Sequence, residues 1–290
     1  MAFLSVALPA ATMSLLNSPA RAGVIPTAQA LATPHLAGAN DWSCRPTAAH
    51  PFPVVLVHGT YATGTEWRTF ASDLHRLGYC VFALDYGSGP VWLRPFFGSN
   101  GATAPIERSA DQLAVFVKGV LAATGTRKID IVGHSQGGGV MPRYYLKFGG
   151  GAARVHSLVA LSPNNRGTTL NGVALVAAGS PGIDRLVYAA DPAAAQQIIG
   201  SPILDKVNAG GVTVTGISYT VIATARDKVI TPYSSQFLTG PRAHNVTVQG
   251  LCAGDRASHA GMPTDPVALH EAENALDPAT ATPTTCGSRP

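Results

Sequence analysis

A chain of 290 residues is long enough to bury one large core, and 46% apolar against 12% charged residues excludes a disordered or coiled-coil protein. The net charge of +4 is spread thinly, with Arg127-Lys128 as the adjacent basic pair and no basic run, so no nucleic-acid or anionic-lipid footprint is present. No run of about eighteen apolar residues exists to span a bilayer.

In chain order, residues 1–30 are rich in Ala, Ser and Leu and read as an export signal or disordered leader. Ala20-Arg21-Ala22 and Ala28-Gln29-Ala30 have the small residues of signal-peptidase sites, although no basic residue precedes Arg21. Pro53 to Val57 reads as a buried strand, followed by a His58-Gly59-Thr60 turn. A helix over 66–77 comes next, whose Trp67, Phe70, Leu74 and Leu77 share one face. Tyr79 to Leu84 is the next strand, then an irregular stretch from Asp85 to Pro105 and a helix over 106–123. Ile129 to Val132 is a further strand that runs into Gly133-His134-Ser135-Gln136-Gly137, and a helix is expected from Ser135 to Phe148. A strand follows at Val155 to Leu161. From Pro163 to about Gly211 the pattern loosens into a cap-like insertion, with short helical pieces at Gly172 to Ala178 and Ala193 to Ile199. Strands resume at Ile217 to Ala223 and Asn245 to Val248, and Asp265 to Leu276 is a closing helix. Short apolar runs alternating with helical faces predict an α/β fold, a mostly parallel sheet covered on both sides. The domain is expected over 41–278, with 279–290 as a tail.

The cysteines Cys44, Cys80, Cys252 and Cys286 form an even set without metal spacing, which suits two disulfides in an oxidising compartment. Four cysteines allow three pairings. Cys44 lies just before one predicted strand and Cys80 opens the next, while Cys252 follows the last strand and Cys286 sits in the tail, which favours 44 with 80 and 252 with 286. With the leader, they make secretion, to the extracellular space or the cell wall, the expected localisation.

The chemistry starts at Gly133 to Gly137. An apolar strand feeding Gly-x-Ser-x-Gly and then a helix is the form of a nucleophile elbow, with Ser135 as the candidate nucleophile. A serine hydroxyl is a weak nucleophile at neutral pH and needs a histidine to take its proton and an acid to orient that histidine. On elbow-bearing α/β-hydrolases the order is Ser, acid, His, with the acid after a late strand and the histidine after the last one. Asp227 and His259 fit those places. His244 precedes the final strand, His270 lies in a helix, His156 begins a strand, and the remaining histidines come before Ser135. Asp255 is the rival acid, read here as a loop cap; Asp85, Asp130, Asp184, Asp191 and Asp205 read as loop or cap residues. The oxyanion donors are the main-chain amides of Gln136, which follows the nucleophile, and Thr60, on the earlier turn.

With Val54 to Thr60, Gly78 to Gly87, Gly133 to Gly138 and Ala223 to Pro232 in order, the chain resembles the secreted lipases and esterases of actinobacteria. Met141 to Phe148, Arg166-Gly167-Thr168-Thr169 and Ala275-Leu276-Asp277-Pro278 carry the same likeness. The resemblance implies an α/β-hydrolase fold and hydrolysis of acyl glycerols or similar esters without an organic cofactor; no metal ligand is assigned. Position by position, it places the triad on Ser135, Asp227 and His259 and the oxyanion donors on Thr60 and Gln136. Two departures stand out. Arg226 and Lys228 flank the acid where an aromatic and a second acid are expected, and Asp191 to Gln197 lacks the cysteines of relatives. Leu175, Val176, Leu186, Val187, Ile198, Ile199 and Leu204 line an acyl site if the insertion covers it, but residue by residue they are expected in the core of the cap. A monomer acting on a lipid or small ester, with transient contact to a lipid interface, is expected. The alternatives are an acyltransferase on the same triad and a catalytically dead hydrolase-like binding protein.

Overall fold

The computed structural model describes residues 27–89, 98–172 and 188–289. Among them six strands, β1 (Val54–Val57), β2 (Val81–Leu84), β3 (Ile129–His134), β4 (Val155–Leu161), β5 (Ser218–Ala223) and β6 (Ala243–Thr247), form one sheet. Their order is β2-β1-β3-β4-β5-β6 and every neighbouring pair is parallel. The continuous apolar runs follow from burial on both faces. Val54 and Leu56 pack with Phe70, Leu74 and Leu269 on one side, while Val55 and Val57 pack with Phe116, Val120 and Tyr145 on the other.

The helices lying wholly within the described residues are α1 (Ala28–Leu31), α2 (Arg68–Arg76), α3 (Ile106–Thr124), α4 (Val140–Phe148), α5 (Pro192–Gln196), α6 (Pro202–Asn208), α7 (Val248–Leu251) and α8 (Pro266–Leu276). None is long and apolar enough to cross a membrane. Asp265 caps α8 by accepting the Ala268 N–H at 2.8 Å. Two expectations shift. Leu77 is 47% exposed because α2 ends at Arg76 and Gly78, at φ +91°, turns the chain before Leu77 can join the buried face. The helix expected from Ser135 is broken as well: a 3-10 turn spans Ser135–Gly137, and α4 begins only at Val140, whose N–H is taken by Asn164 Oδ1 at 3.0 Å.

The packed chain takes in residues before Asp41. Ala28, Leu31 and Leu36 are buried, Ala32 bridges Leu84, and the Asn40 amide pairs with both the N–H and C=O of Ala83 at 2.9 Å. The exposed edge of β2 is thereby closed. The expected Gly172 to Ala178 helix, and Leu175, Val176, Leu186, Val187 and Asp184, lie outside the described residues. Both disulfides form as paired above: Cys44–Cys80 with Cα atoms 5.7 Å apart and Cys252–Cys286 at 4.9 Å.

Topology fixes where chemistry can sit. The chain leaves β1 to one side for β2 and returns on the other side as β3. The crevice at the carboxyl ends of β1 and β3 is therefore the switch point where doubly wound sheets bind ligands. The register Val57↔Gly133 sets the turn after β1 directly beside the turn after β3.

Candidate active site

Ser135 emerges from β3 with φ +53°, in the left-handed region that costs a side-chain-bearing residue about 1–2 kcal/mol. The glycines two residues either side make the turn feasible. A Cβ on Gly133 would lie 1.9 Å from Gly137 O, and one on Gly137 would lie 2.3 Å from His58 O. The elbow is thus pressed against the β1 turn with no room for a methyl group. Gly59 is tight but less so, since a Cβ there would sit 3.0 Å from His134 Nδ1 and 3.2 Å from Ser135 Cβ.

Thr60 Oγ1 donates to Gln136 Oε1 at 2.9 Å, so the two residues proposed from sequence to supply oxyanion donors are joined through their side chains. Neither the Thr60 nor the Gln136 main-chain N–H has an acceptor among the described residues. Gln197, just past α5, adds a second donor to Gln136 Oε1 at 2.9 Å and accepts from Asn164 Nδ2 at 2.8 Å. Sequence reasoning missed Gln197 and Asn164. No sequence signal set them apart from other amides of the insertion, such as Asn165, Asn171 and Gln196.

Asp227 follows β5, and both of its carboxylate oxygens are engaged. Oδ1 accepts the Val229 and Ile230 N–H groups, each at 2.8 Å, and Oδ2 accepts Gln236 Nε2 at 3.0 Å and His259 Nδ1 at 2.8 Å. Burial pushes the carboxyl upward, but the bonds from His259 and the two amides outweigh it and hold Asp227 below its ordinary range. His259, buried after β6, is shifted downward because burial disfavours its cation more than Asp227 favours it. At neutral pH the imidazole is therefore neutral, with its proton on Nδ1 facing Asp227 and a free lone pair on Nε2. The loops bearing the two residues are laced together: Thr224 Oγ1 donates to Ala257 O at 2.8 Å, and Arg226 Nε to Asp255 O at 3.1 Å. Arg226 thus turns away from Asp227.

The competing residues are placed elsewhere. Asp255 accepts the Ala257 N–H at 2.7 Å, as a loop cap. His244 lies within β6 rather than before it, and His270 on α8 contacts Thr282 and Thr284 of the tail. Asp130 is not a loop residue: it is the second residue of β3, buried, and accepts from His156 Nδ1 at 2.8 Å and Ser157 Oγ at 2.6 Å. Asp191 caps α5 and also accepts the Tyr61 hydroxyl. Asp205 sits inside α6. Leu204 is buried and belongs to the core, whereas Ile199 is exposed. Among the described residues, no group of three or more His, Cys, Asp or Glu is placed to hold a metal ion.

Residues 53–192 match the family described as alpha/beta hydrolase fold. A triacylglycerol lipase from Pseudarthrobacter phenanthrenivorans is 36% identical over 97 residues, covering 31% of this chain and 27% of the relative. Lipase B of Pseudozyma antarctica is 27% identical over 208 residues, covering 69% of this chain and 54% of the relative. The chain thus spans about half the length of the second relative and about a quarter of the first. Among solved structures, Aspergillus fumigatus lipase B superposes with a TM-score of 0.63 at 21% identity, over 80% of this chain and 54% of that one. With its parallel sheet, its strained serine at the switch point and these likenesses, the chain is built on the alpha/beta hydrolase fold.

Proposed function

We propose that this protein is a serine hydrolase of carboxylic esters, of the lipase or esterase kind, working through an acyl-enzyme. The observation that carries the reading is a left-handed Ser135 at the end of β3 together with a buried His259–Asp227 hydrogen bond of 2.8 Å supplied by the loops after β6 and β5. Ser135 attacks the acyl carbonyl while His259 Nε2 takes its proton. Asp227 holds the imidazole in the Nδ1–H tautomer and stabilises its cation, and the Thr60 and Gln136 amides receive the oxyanion. His259 then activates the water that releases the acid.

The insertion over about 163–211 acts as a cap, a reading supported by Gln197 touching both Thr60 and Gln136. A lipid-facing rim is assigned to Leu170, Ile199, Val229 and Tyr233. All four are exposed, and Thr168 links three of their segments by accepting the Ile199 N–H and donating to Val229 O. Export is supported by the two disulfides. The test is hydrolysis of p-nitrophenyl esters from short to long acyl chains by wild type and Ser135→Ala. Turnover that Ser135→Ala abolishes is expected, and no turnover at any chain length defeats the proposal.

A further inference from the structure

Glu66 has no part in the triad or the oxyanion donors, yet it is an acid tucked in beside them, with its side chain only 16% exposed. It sits in a 3-10 turn, Gly64–Trp67, anchored by the fully buried Trp67 and by Gly64 N–H donating to Asp85 Oδ1 at 2.7 Å. Its two oxygens face different loops. Oε1 accepts the Gly59 N–H at 2.9 Å, on the turn that carries Thr60. Oε2 lies 3.3 Å from Nδ1 of His134, the residue before Ser135. The other nitrogen of that ring, Nε2, is 3.0 Å from the main-chain oxygen of His259. One side chain and one ring therefore join the oxyanion turn, the nucleophile elbow and the loop of the general base.

Resting on the ester-hydrolase reading above, we propose that Glu66, acting through His134, is a positioning residue that sets the oxyanion turn and the His259 loop in register with Ser135. Glu66 touches no reacting atom. Its effect falls on the geometry of attack, where a misplacement of about 1 Å costs on the order of 10²-fold in rate. A purely structural carboxylate affects how much protein is folded, not the rate of each folded molecule.

The experiment measures kcat and KM on a p-nitrophenyl ester, counted per serine titrated to completion with a fluorophosphonate, for wild type, Glu66→Ala, Glu66→Gln, His134→Phe and the Glu66→Ala/His134→Phe double variant. Glu66→Ala is expected to lower kcat about 10- to 100-fold with KM within about threefold. Glu66→Gln is expected to recover to within about threefold of wild type, because its amide oxygen still accepts from the Gly59 N–H and its other end still reaches Nδ1 of His134. The double variant is expected to lose no more than the worse single one, as members of one chain of contacts do. A kcat for Glu66→Ala within twofold of wild type, a glutamine no better than alanine, or losses that multiply in the double variant each overturn the proposal. If Glu66→Ala yields no folded protein, His134→Phe decides on the same kcat criterion, since it keeps a ring and removes both bonds. A wild type that turns over no ester overturns the hydrolase reading and this inference with it, whereas an active wild type with an indifferent Glu66→Ala overturns the inference alone.

Discussion

Replacing Asp227 with asparagine keeps the shape of the acid and reverses half of its hydrogen bonding. In the wild-type site four donors converge on the carboxylate: the Val229 and Ile230 N–H groups on Oδ1, and Gln236 Nε2 and His259 Nδ1 on Oδ2. An amide has only one acceptor oxygen, so either rotamer sets an NH2 against two of these donors. With the oxygen left to the two main-chain amides, His259 loses a charge-assisted bond worth about 1.5–3 kcal/mol, and its Nδ1–H meets a donor at a further cost of about 1–3 kcal/mol. Moving the imidazole proton to Nε2 relieves the clash and leaves no lone pair for the Ser135 proton. Reaching the productive tautomer then costs about 3–6 kcal/mol, which at 1.36 kcal/mol per tenfold is a fall in kcat of about 10²- to 10⁴-fold. Asp255→Asn serves as the control, because its contact at 2.7 Å is to the Ala257 N–H of its own loop; it is expected to stay within about threefold of wild type. The assay is kcat on a short p-nitrophenyl ester at pH 8, with melting temperatures recorded for both variants. An Asp227→Asn enzyme that is folded and within tenfold of wild type refutes the assignment, and a large loss in Asp255→Asn instead moves the acid to Asp255.

The downward shift of His259 predicts the acid limb of the pH–rate profile. Protonated His259 cannot accept the Ser135 proton, so kcat/KM should fall with a midpoint below the ordinary 6.5 of an imidazole, and a midpoint at or above that value contradicts the buried, neutral ring. The same shift links to stability: the unfolded chain binds this proton first, so the contribution of His259 is complete above 6.5 and is lost as pH falls through its folded value. Asp227 adds a second loss below 3.8, and denaturant titrations over pH 3–8 should show both falls in that order. At the elbow, Ser135→Ala keeps the φ of +53° and its strain whereas Ser135→Gly relieves it, so the glycine variant should be the more stable of the two inactive proteins by about 1 kcal/mol. Equal denaturation midpoints, or a more stable alanine variant, argue that the turn relaxes once the hydroxyl is gone.

The sheet was legible because its strands announce themselves. Val54 to Val57, Ile129 to Val132 and Val155 to Leu161 are unbroken apolar runs, the pattern forced on parallel strands covered on both faces, and each appears within a few residues of its expected bounds. The Asp227–His259 contact of 2.8 Å was legible for a related reason. Strand order and chain direction dictate which loops reach the carboxyl edge, so counting strands points to Asp227 and His259. The strand carrying His244 was harder, since β6 is an edge with partly exposed residues and little apolar signal. The helix expected from Ser135 failed because three consecutive glycines, Gly137 to Gly139, serve close backbone approaches there rather than a helix. A Cβ on Gly138 would lie 2.4 Å from Gly133 O, and one on Gly139 would lie 2.1 Å from Asn164 Oδ1.

What sequence order concealed is the set of polar contacts made across the switch point by the segment from Asp191 to Gln197. In place of a covalent staple, this segment is held at three places. Asp191 accepts from Tyr61, Gln196 accepts from the Ile106 N–H at 2.7 Å and donates to Glu107 at 2.9 Å, and Gln197 reaches Gln136. Each buried amide or carboxylate would cost about 1–3 kcal/mol if left unpaired, so the contacts select one seating of α5 even where each adds little net stability. Two of the three anchors, Tyr61 and Gln136, adjoin the proposed oxyanion donors, being the residue after Thr60 and the second donor itself. Any motion that lifts α5 must therefore break bonds to Tyr61 and Gln136, which ties the seating of this segment to the residues proposed to receive the oxyanion.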